Sequence, residues 1–302
     1  MKKLFSLLAI TLLAIFLVAC GTAEEENNDT ENDNASGDQA ENQEENAEQS
    51  EEDAEELVEI TVGATSVPHA EVLEQAKPIL EEEGIELNIE VYQEYILPNE
   101  DLSNGTLDAN YYQHIPYLND QKAEFGYDFV NLGGIHIEPM GVYSKNITNL
   151  EDIPEGTDVI MSRSVADHGR ILSLLQEHGL IKLKDDVEPI SATIDDIAED
   201  GNPLNLEFDA SIEPGLLPEF YNREEDALVA INTNYAIEAG LVPSEDALIL
   251  EGSESPYVNV VAARSEDENN EALQTLVEVL RSEEIQTFIE EEYEGAVVPV
   301  SE

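Results

Sequence analysis

Basic residues and sulfur are what this chain has least of. Among 302 residues there are 12 Lys and Arg against 69 Asp and Glu, and a single cysteine. So few cations exclude nucleic acid as a partner, because binding phosphates needs basic surface. They equally exclude adsorption to anionic lipid as a way of staying at a membrane. One cysteine leaves no intramolecular disulfide, no thiolate metal cluster and no internal cysteine nucleophile. There is no Gly-x-Ser-x-Gly elbow or other nucleophile motif, so no hydrolase chemistry is expected and the chain is read as a non-enzyme. No short period repeats, which rules out a solenoid. Five histidines (His69, His114, His136, His168, His178) raise the question of metal, which would need three convergent ligands and a carboxylate. His69-Ala70-Glu71 and His136-Ile137-Glu138 look like the His-x-Glu half of a zinc deaminase site, but the completing cysteines are missing. They are read as structural pairs, and neither metal nor cofactor is expected.

What is present begins with a leader. Lys2 and Lys3 precede an apolar run from Leu4 to Ala19, which ends in Leu17-Val18-Ala19-Cys20-Gly21. This reads as a secretory signal peptide, residues 1–19, too short and wrongly flanked for a lasting membrane span. Cys20, after small residues and before Gly21, matches the lipobox of bacterial lipoproteins and is read as the lipidated first residue of the mature chain. The alternative is a free cysteine in a retained anchor helix. Gly21–Glu56 holds 16 acidic residues and no Lys, Arg or aromatic. Such a segment buries too little apolar surface to offset its ordering entropy, so residues 20–56 are expected to be a disordered acidic tether reaching roughly 35 Å r.m.s.. Export and a lipid anchor place the protein on the extracytoplasmic face of a cell membrane. Setting aside the two leader lysines and the 16 tether acids changes the net charge from −57 to −43. Surface this acidic suits high salt, where screening tolerates the repulsion, and a salt requirement for folding is the corresponding expectation.

Residues 57–302 suffice for one large or two small domains. Leu57–Ala64 alternates as a strand, His69–Glu83 carries Val72, Leu73, Ala76, Ile79 and Leu80 at helical spacing before Gly84, and Ile85–Tyr92 alternates again. Strand, helix, strand at this spacing is a βαβ unit with a parallel sheet. The pattern predicts further helices at Asn99–Asn104, about Pro116–Phe125 and about Gly169–His178. Strands are predicted at Leu107–Tyr111, Phe129–Gly133, Glu138–Ser144, Asp158–Met161, Asp226–Ile231 and Val258–Ala263. Glu268–Glu290 reads as one long amphipathic helix. The fold class is α/β with two lobes.

Leu107–Leu118 (LDANYYQHIPYL) is the stretch around which a site would be built. It gathers Tyr111, Tyr112, His114 and Tyr117 with Asn110 and Gln113. Flat side chains with polar tips suit a small-molecule cleft, offering an apolar face and an orienting group. The plain alternative is that these tyrosines are ordinary core or rim residues. Val62–Glu71 places small and hydroxyl residues at the carboxyl end of the first strand, where open parallel sheets hold ligands, although an ordinary βα turn reads the same way.

Taken jointly with Tyr95-Ile96-Leu97-Pro98-Asn99, Gly133–Lys145, Gly169-Arg170, Gly179–Asp185, Ile231–Leu241 and Ser255–Asn259, these segments resemble the methionine-binding lipoproteins, the extracytoplasmic receptors of ABC methionine importers. The resemblance covers Leu57–Glu302 and the lipobox. It implies a type II periplasmic-binding-protein fold with a ligand cleft between two α/β lobes. On this reading residues 57–142 form the first part of lobe 1, 143–250 form lobe 2, and 251–302 return to lobe 1. It also implies methionine, of L or D configuration, as ligand and an ABC permease with its ATPase as partners. The alternatives are a receptor of the same fold for another apolar amino acid or short peptide, and a surface lipoprotein without a transport role.

Carried over by position, the resemblance puts the side-chain pocket at Tyr95, Tyr112, His114 and Tyr117, where rings can hold a thioether. Arg170 takes the place of the carboxylate-binding arginine, whose planar fork suits two parallel hydrogen bonds. Asn232 takes that of the asparagine at the ligand's polar end. Without the family, Arg170 reads as a surface salt-bridge partner in a chain rich in carboxylates. One departure stands out: in Ser162–Arg170, Asp167 replaces the usual asparagine. A carboxylate there repels the ligand's own unless Arg163 or Arg170 neutralises it.

Overall fold

The computed structural model describes residues 57–300; the signal-peptide, Cys20 and tether readings lie outside the described residues. Among the described residues no helix is long and apolar enough to cross a membrane.

The chain opens with β1 (Val58–Thr65), α1 (Glu71–Glu82) and β2 (Ile85–Tyr92). β1 and β2 run parallel in unbroken register from Val58 opposite Ile85 to Thr65 opposite Tyr92, the βαβ unit that the alternation predicts. Ile60, Val62 and Ala64 are buried on one side of β1 and meet Val72, Leu73, Ala76 and Leu80 of α1. Gly84, at φ +81°, turns the chain out of the helix where a Cβ would be strained. Then come α2 (Leu97–Asn104), β3 (Ala109–His114), α3 (Ile115–Phe125) and β4 (Phe129–Ile137).

The chain next enters a second sheet with β5 (Gly141–Tyr143), β6 (Asp158–Ser162), α4 (Val165–Glu177), β7 (Glu207–Ile212), α5 (Leu217–Arg223), β8 (Leu228–Ile231), α6 (Thr233–Glu238), α7 (Pro243–Asp246) and β9 (Ile249–Leu250). It returns through β10 (Val258–Arg264), α8 (Glu271–Leu280), α9 (Glu283–Tyr293) and β11 (Val298–Pro299). The first sheet has the order β11-β4-β10-β3-β1-β2 and the second β7-β6-β8-β5-β9. Each sheet has its own apolar core, one around Leu73, Ile135 and Leu276, the other around Val159, Leu172 and Leu228. This is the two-lobed α/β architecture of a type II periplasmic-binding protein. The chain passes between sheets twice, at β4 to β5 and at β9 to β10.

Besides α4, which begins at Val165 rather than Gly169, and elements the pattern did not predict, such as β7, four predicted elements differ for a local reason. The strand expected at Leu107–Tyr111 runs instead over Ala109–His114, all six residues buried. β3 lies between β1 and β10 with both faces covered, so it shows no inside-outside alternation. β4 does not stop at Gly133 but continues through Gly134 to Ile137. Those glycines mark close packing, since a Cβ would fall 2.7 Å from Val277 Cγ1 at Gly133 and 2.6 Å from Val258 Cγ1 at Gly134. Of the strand expected at Glu138–Ser144, Gly141–Tyr143 remains, because the residues before it carry the chain between sheets. The long C-terminal helix is two: α8 ends at Leu280 and Ser282 caps α9, its Oγ accepting from Ile285 N at 3.4 Å.

Candidate functional site

A narrow cleft lined from both sheets, with a cavity of about 30 Å³, lies beyond the carboxyl end of β3. All seven side chains singled out from the sequence line it: Tyr95, Tyr112, His114 and Tyr117 from the first lobe, Asp167, Arg170 and Asn232 from the second. Tyr95 follows β2, Tyr112 and His114 end β3, and Tyr117 lies in the first turn of α3.

At one end three tyrosines face each other, with ring centroids 6.1 Å apart for Tyr95–Tyr112 and Tyr95–Tyr117 and 6.3 Å for Tyr112–Tyr117. The Tyr112 and Tyr117 hydroxyls both donate to the Tyr95 carbonyl, at 2.9 and 3.1 Å. Tyr95 itself donates across the cleft to Asn234 Oδ1 at 2.6 Å. Burial raises all three phenols, so the cage is neutral and its exposed faces are apolar.

At the other end charge is dense. His114 caps α3, its Nδ1 accepting from Tyr117 N at 3.1 Å, so the ring hydrogen sits on Nε2 and faces Asp167 Oδ1 at 3.5 Å. Asp167 is 2% exposed, in the first turn of α4 where the helix dipole favours an anion. Burial pushes its carboxyl up, but His114, Arg170 and the Asn232 amide outweigh this and hold it below the usual range. Asn232 Nδ2 donates to Asp167 Oδ2 at 3.3 Å, while Asn232 Oδ1 is buried without a partner among the described residues. An unsatisfied buried acceptor is costly, and a ligand N–H would satisfy it.

Arg170 is a salt-bridge partner, but a buried one, 5% exposed. Its Nε donates to Glu251 Oε2 at 2.8 Å, and Nη2 donates to the same oxygen and to the Glu138 carbonyl. Its guanidinium lies over the Tyr257 ring, 4.6 Å from the centroid. The two-bond fork expected for a ligand is therefore already engaged along one edge. Arg163 does not neutralise Asp167; half exposed, it pairs with Glu213 at 2.5 Å. Gly169 lets α4 approach the 189–191 turn, since a Cβ there would lie 2.6 Å from the Ile190 carbonyl oxygen.

The cleft floor holds what the sequence did not reveal. His69 Nε2 and His136 Nε2 converge on one oxygen, Glu138 Oε1, at 3.1 and 2.9 Å. The outer nitrogens are held as well, His69 Nδ1 by Thr65 Oγ1 at 2.8 Å and His136 Nδ1 by the Tyr111 hydroxyl. The other Glu138 oxygen accepts from Asn234 N at 3.1 Å. Burial opposes the Glu138 charge, but the two imidazoles outweigh it and hold the carboxyl far below its ordinary range. Burial also lowers His136, against the pull of Glu138. The trio has the composition of a metal site, with ligand atoms within 4.8 Å of one another, yet every ring nitrogen already has a hydrogen-bond partner. The two His-x-Glu pairs are thus not equivalent: Glu71 accepts from Tyr293 at 2.7 Å and does not meet His69.

Gln113, Glu138, Thr233, Asn234 and Asn259 also line the cleft. The segments holding them stood out in the sequence; their individual places did not. Glu251, the partner of Arg170, is 81 residues away from it and gave no local signal.

Residues 60–301 match the family model described as NlpA lipoprotein. The chain is 44% identical over 246 residues to the methionine-binding lipoprotein MetQ of Bacillus subtilis, covering 81% of this chain and 89% of that one. A solved structure of a nutrient-binding protein from Burkholderia cenocepacia, bound to methionine, is 36% identical with a TM-score of 0.76, covering 80% of this chain and all of that one. The structure of an ABC transporter periplasmic substrate-binding protein from Coxiella burnetii is 38% identical with a TM-score of 0.75, over the same shares. With the family model spanning both lobes and the cleft residues in place, the chain belongs to the NlpA lipoprotein family.

Proposed function

We propose that this chain is an extracytoplasmic solute-binding protein, anchored through Cys20, that captures methionine and delivers it to an ABC permease and its ATPase. One observation carries the reading: a buried cleft joins a neutral tyrosine cage to a charged end with Arg170 and the side-chain oxygen Oδ1 of Asn232, unpartnered among the described residues. A thioether chain suits the chemistry of the cage, where sulfur–aromatic contacts contribute roughly 0.3–1.5 kcal/mol each. The ligand ammonium donates to Asn232 Oδ1 and its carboxylate is drawn to Arg170. Contacts on both lobes let the ligand shift an open–closed equilibrium, with the chain flexing where it crosses between sheets, near residues 138–141 and 251–257. Capture and release are the whole task on this reading, and no bond is made or broken. The names of the B. subtilis and B. cenocepacia relatives support methionine, and that of the C. burnetii protein supports transport.

Asp167 favours a second reading, in which the same fold receives another apolar amino acid or a short peptide, because a buried carboxylate beside Arg170 competes with a ligand's own. Calorimetric titration of the ligand-stripped chain with L-methionine, D-methionine and other amino acids separates the two. Recovery of the permease with the protein from detergent-solubilised membranes tests the transport role.

A further inference from the structure

Arg170 is not presented to the cleft as a free fork. Its Nε and Nη2 both donate to Glu251 Oε2, and Nη2 also donates to the Glu138 carbonyl. Its Nη1 makes no hydrogen bond to any described residue, and the Tyr257 ring covers one face of the guanidinium. Glu251 is itself held in place: Oε2 accepts from Met140 N at 3.0 Å and Oε1 accepts from Ser255 Oγ at 3.0 Å. Met140 lies where the chain leaves the first sheet, and Glu251 and Ser255 where it returns. A single carboxylate thus fixes the arginine to both crossing segments.

We propose that Glu251 is the positioning residue for Arg170, turning its Nη1 side toward a ligand carboxylate and moderating its charge. This rests on the functional reading above and deepens it, assigning how the ligand's carboxyl group is recognised. A guanidinium with one edge engaged grips a carboxylate end-on, with less affinity than a free fork but in one fixed orientation. Glu251 has two separable effects. Its acceptor oxygen orients the arginine, and its negative charge cancels part of the attraction for an anion.

The test is calorimetric titration of the full chain in detergent, stripped of carried-over ligand, with L-methionine and with methioninamide, whose carboxyl group is a neutral amide. Glu251→Ala removes both effects: methionine affinity should fall about tenfold while methioninamide changes less than about threefold. Glu251→Gln keeps an acceptor of the same size and removes the charge: methionine affinity should rise about threefold with methioninamide unchanged. Arg170→Ala is the control for the underlying reading. Loss of methionine binding in Arg170→Ala, beside an unchanged methionine-to-methioninamide ratio in both Glu251 variants, overturns the positioning role and leaves the reading standing. Absence of methionine binding by the unaltered chain overturns the reading, and the inference with it. If Glu251→Ala does not fold, Glu251→Gln decides alone, a raised ratio supporting the proposal and an unchanged or lower one overturning it.

Discussion

Asp167 and Asn232 meet at the cleft through one hydrogen bond, Nδ2 to Oδ2 at 3.3 Å, which engages the amide nitrogen and leaves the side-chain oxygen Oδ1 of Asn232 buried and unpartnered among the described residues. The pair sets a donor-seeking oxygen beside a carboxylate, next to the arginine expected to receive a ligand's anion. Asp167→Asn keeps the shape and removes the charge. Methionine affinity should rise about threefold or more at neutral pH, since an anion beside Arg170 is lost. A fall in affinity would mean that Asp167 holds the ligand's ammonium.

Tyr95 ties the aromatic cage to the opposite lobe by a hydrogen bond, donating to Asn234 Oδ1 at 2.6 Å. In Tyr95→Phe the ring remains and the bond goes. Affinity should fall about threefold to tenfold, the range of one hydrogen bond. Equal affinity would show that closure does not use this bond.

Gly169 has no room for a side chain, as a Cβ would meet the Ile190 and Pro189 carbonyl oxygens. Backbone cannot yield as a flexible side chain does. Gly169→Ala should destabilise the fold by about 1–3 kcal/mol in denaturant unfolding. An increase in stability, the usual result of Gly to Ala in a helix, would contradict the packing described here.

The His69–Glu138–His136 cluster sets a pH response. His136 has its folded pKa below its ordinary 6.5 and Glu138 below its ordinary 4.5. Both bind fewer protons folded than unfolded, so their contribution to stability is complete above the unfolded values. It is lost as pH falls, first from about 6.5 through His136 and then below 4.5 through Glu138. Protonating the acidic surface acts in the opposite sense by relieving self-repulsion. The clean measurement is therefore the difference between the unaltered chain and His136→Asn. Between pH 7 and pH 5 the unaltered chain should lose more stability; parallel profiles would contradict the assignment.

The lobes were legible because periodicity reports burial on one side, as in β1, α1 and β2. It failed where burial is two-sided, in β3, and where glycine serves close packing, in β4. The cleft was legible as a cluster because Tyr112, His114 and Tyr117 lie within six residues, and the resemblance added Tyr95, Asp167, Arg170 and Asn232. What sequence cannot pair are groups joined only by the fold. Glu138 collects two histidines, 69 residues before it and two residues before it, and Glu251 reaches back to Arg170. The isolated reading of Arg170 as a salt-bridge partner was right about the bond and wrong about its place, since burial cannot be read from one charged residue.

On the proposed function, one cleft binds methionine through its cage and its arginine together. The most direct measurement is calorimetric titration of the full chain, stripped of ligand, with methionine and in parallel with Arg170→Ala. One-to-one binding is expected, weakening by about a hundredfold or more in the variant, as loss of a buried charge partner entails. Binding of another ligand with none of methionine, or methionine binding untouched by Arg170→Ala, would contradict it.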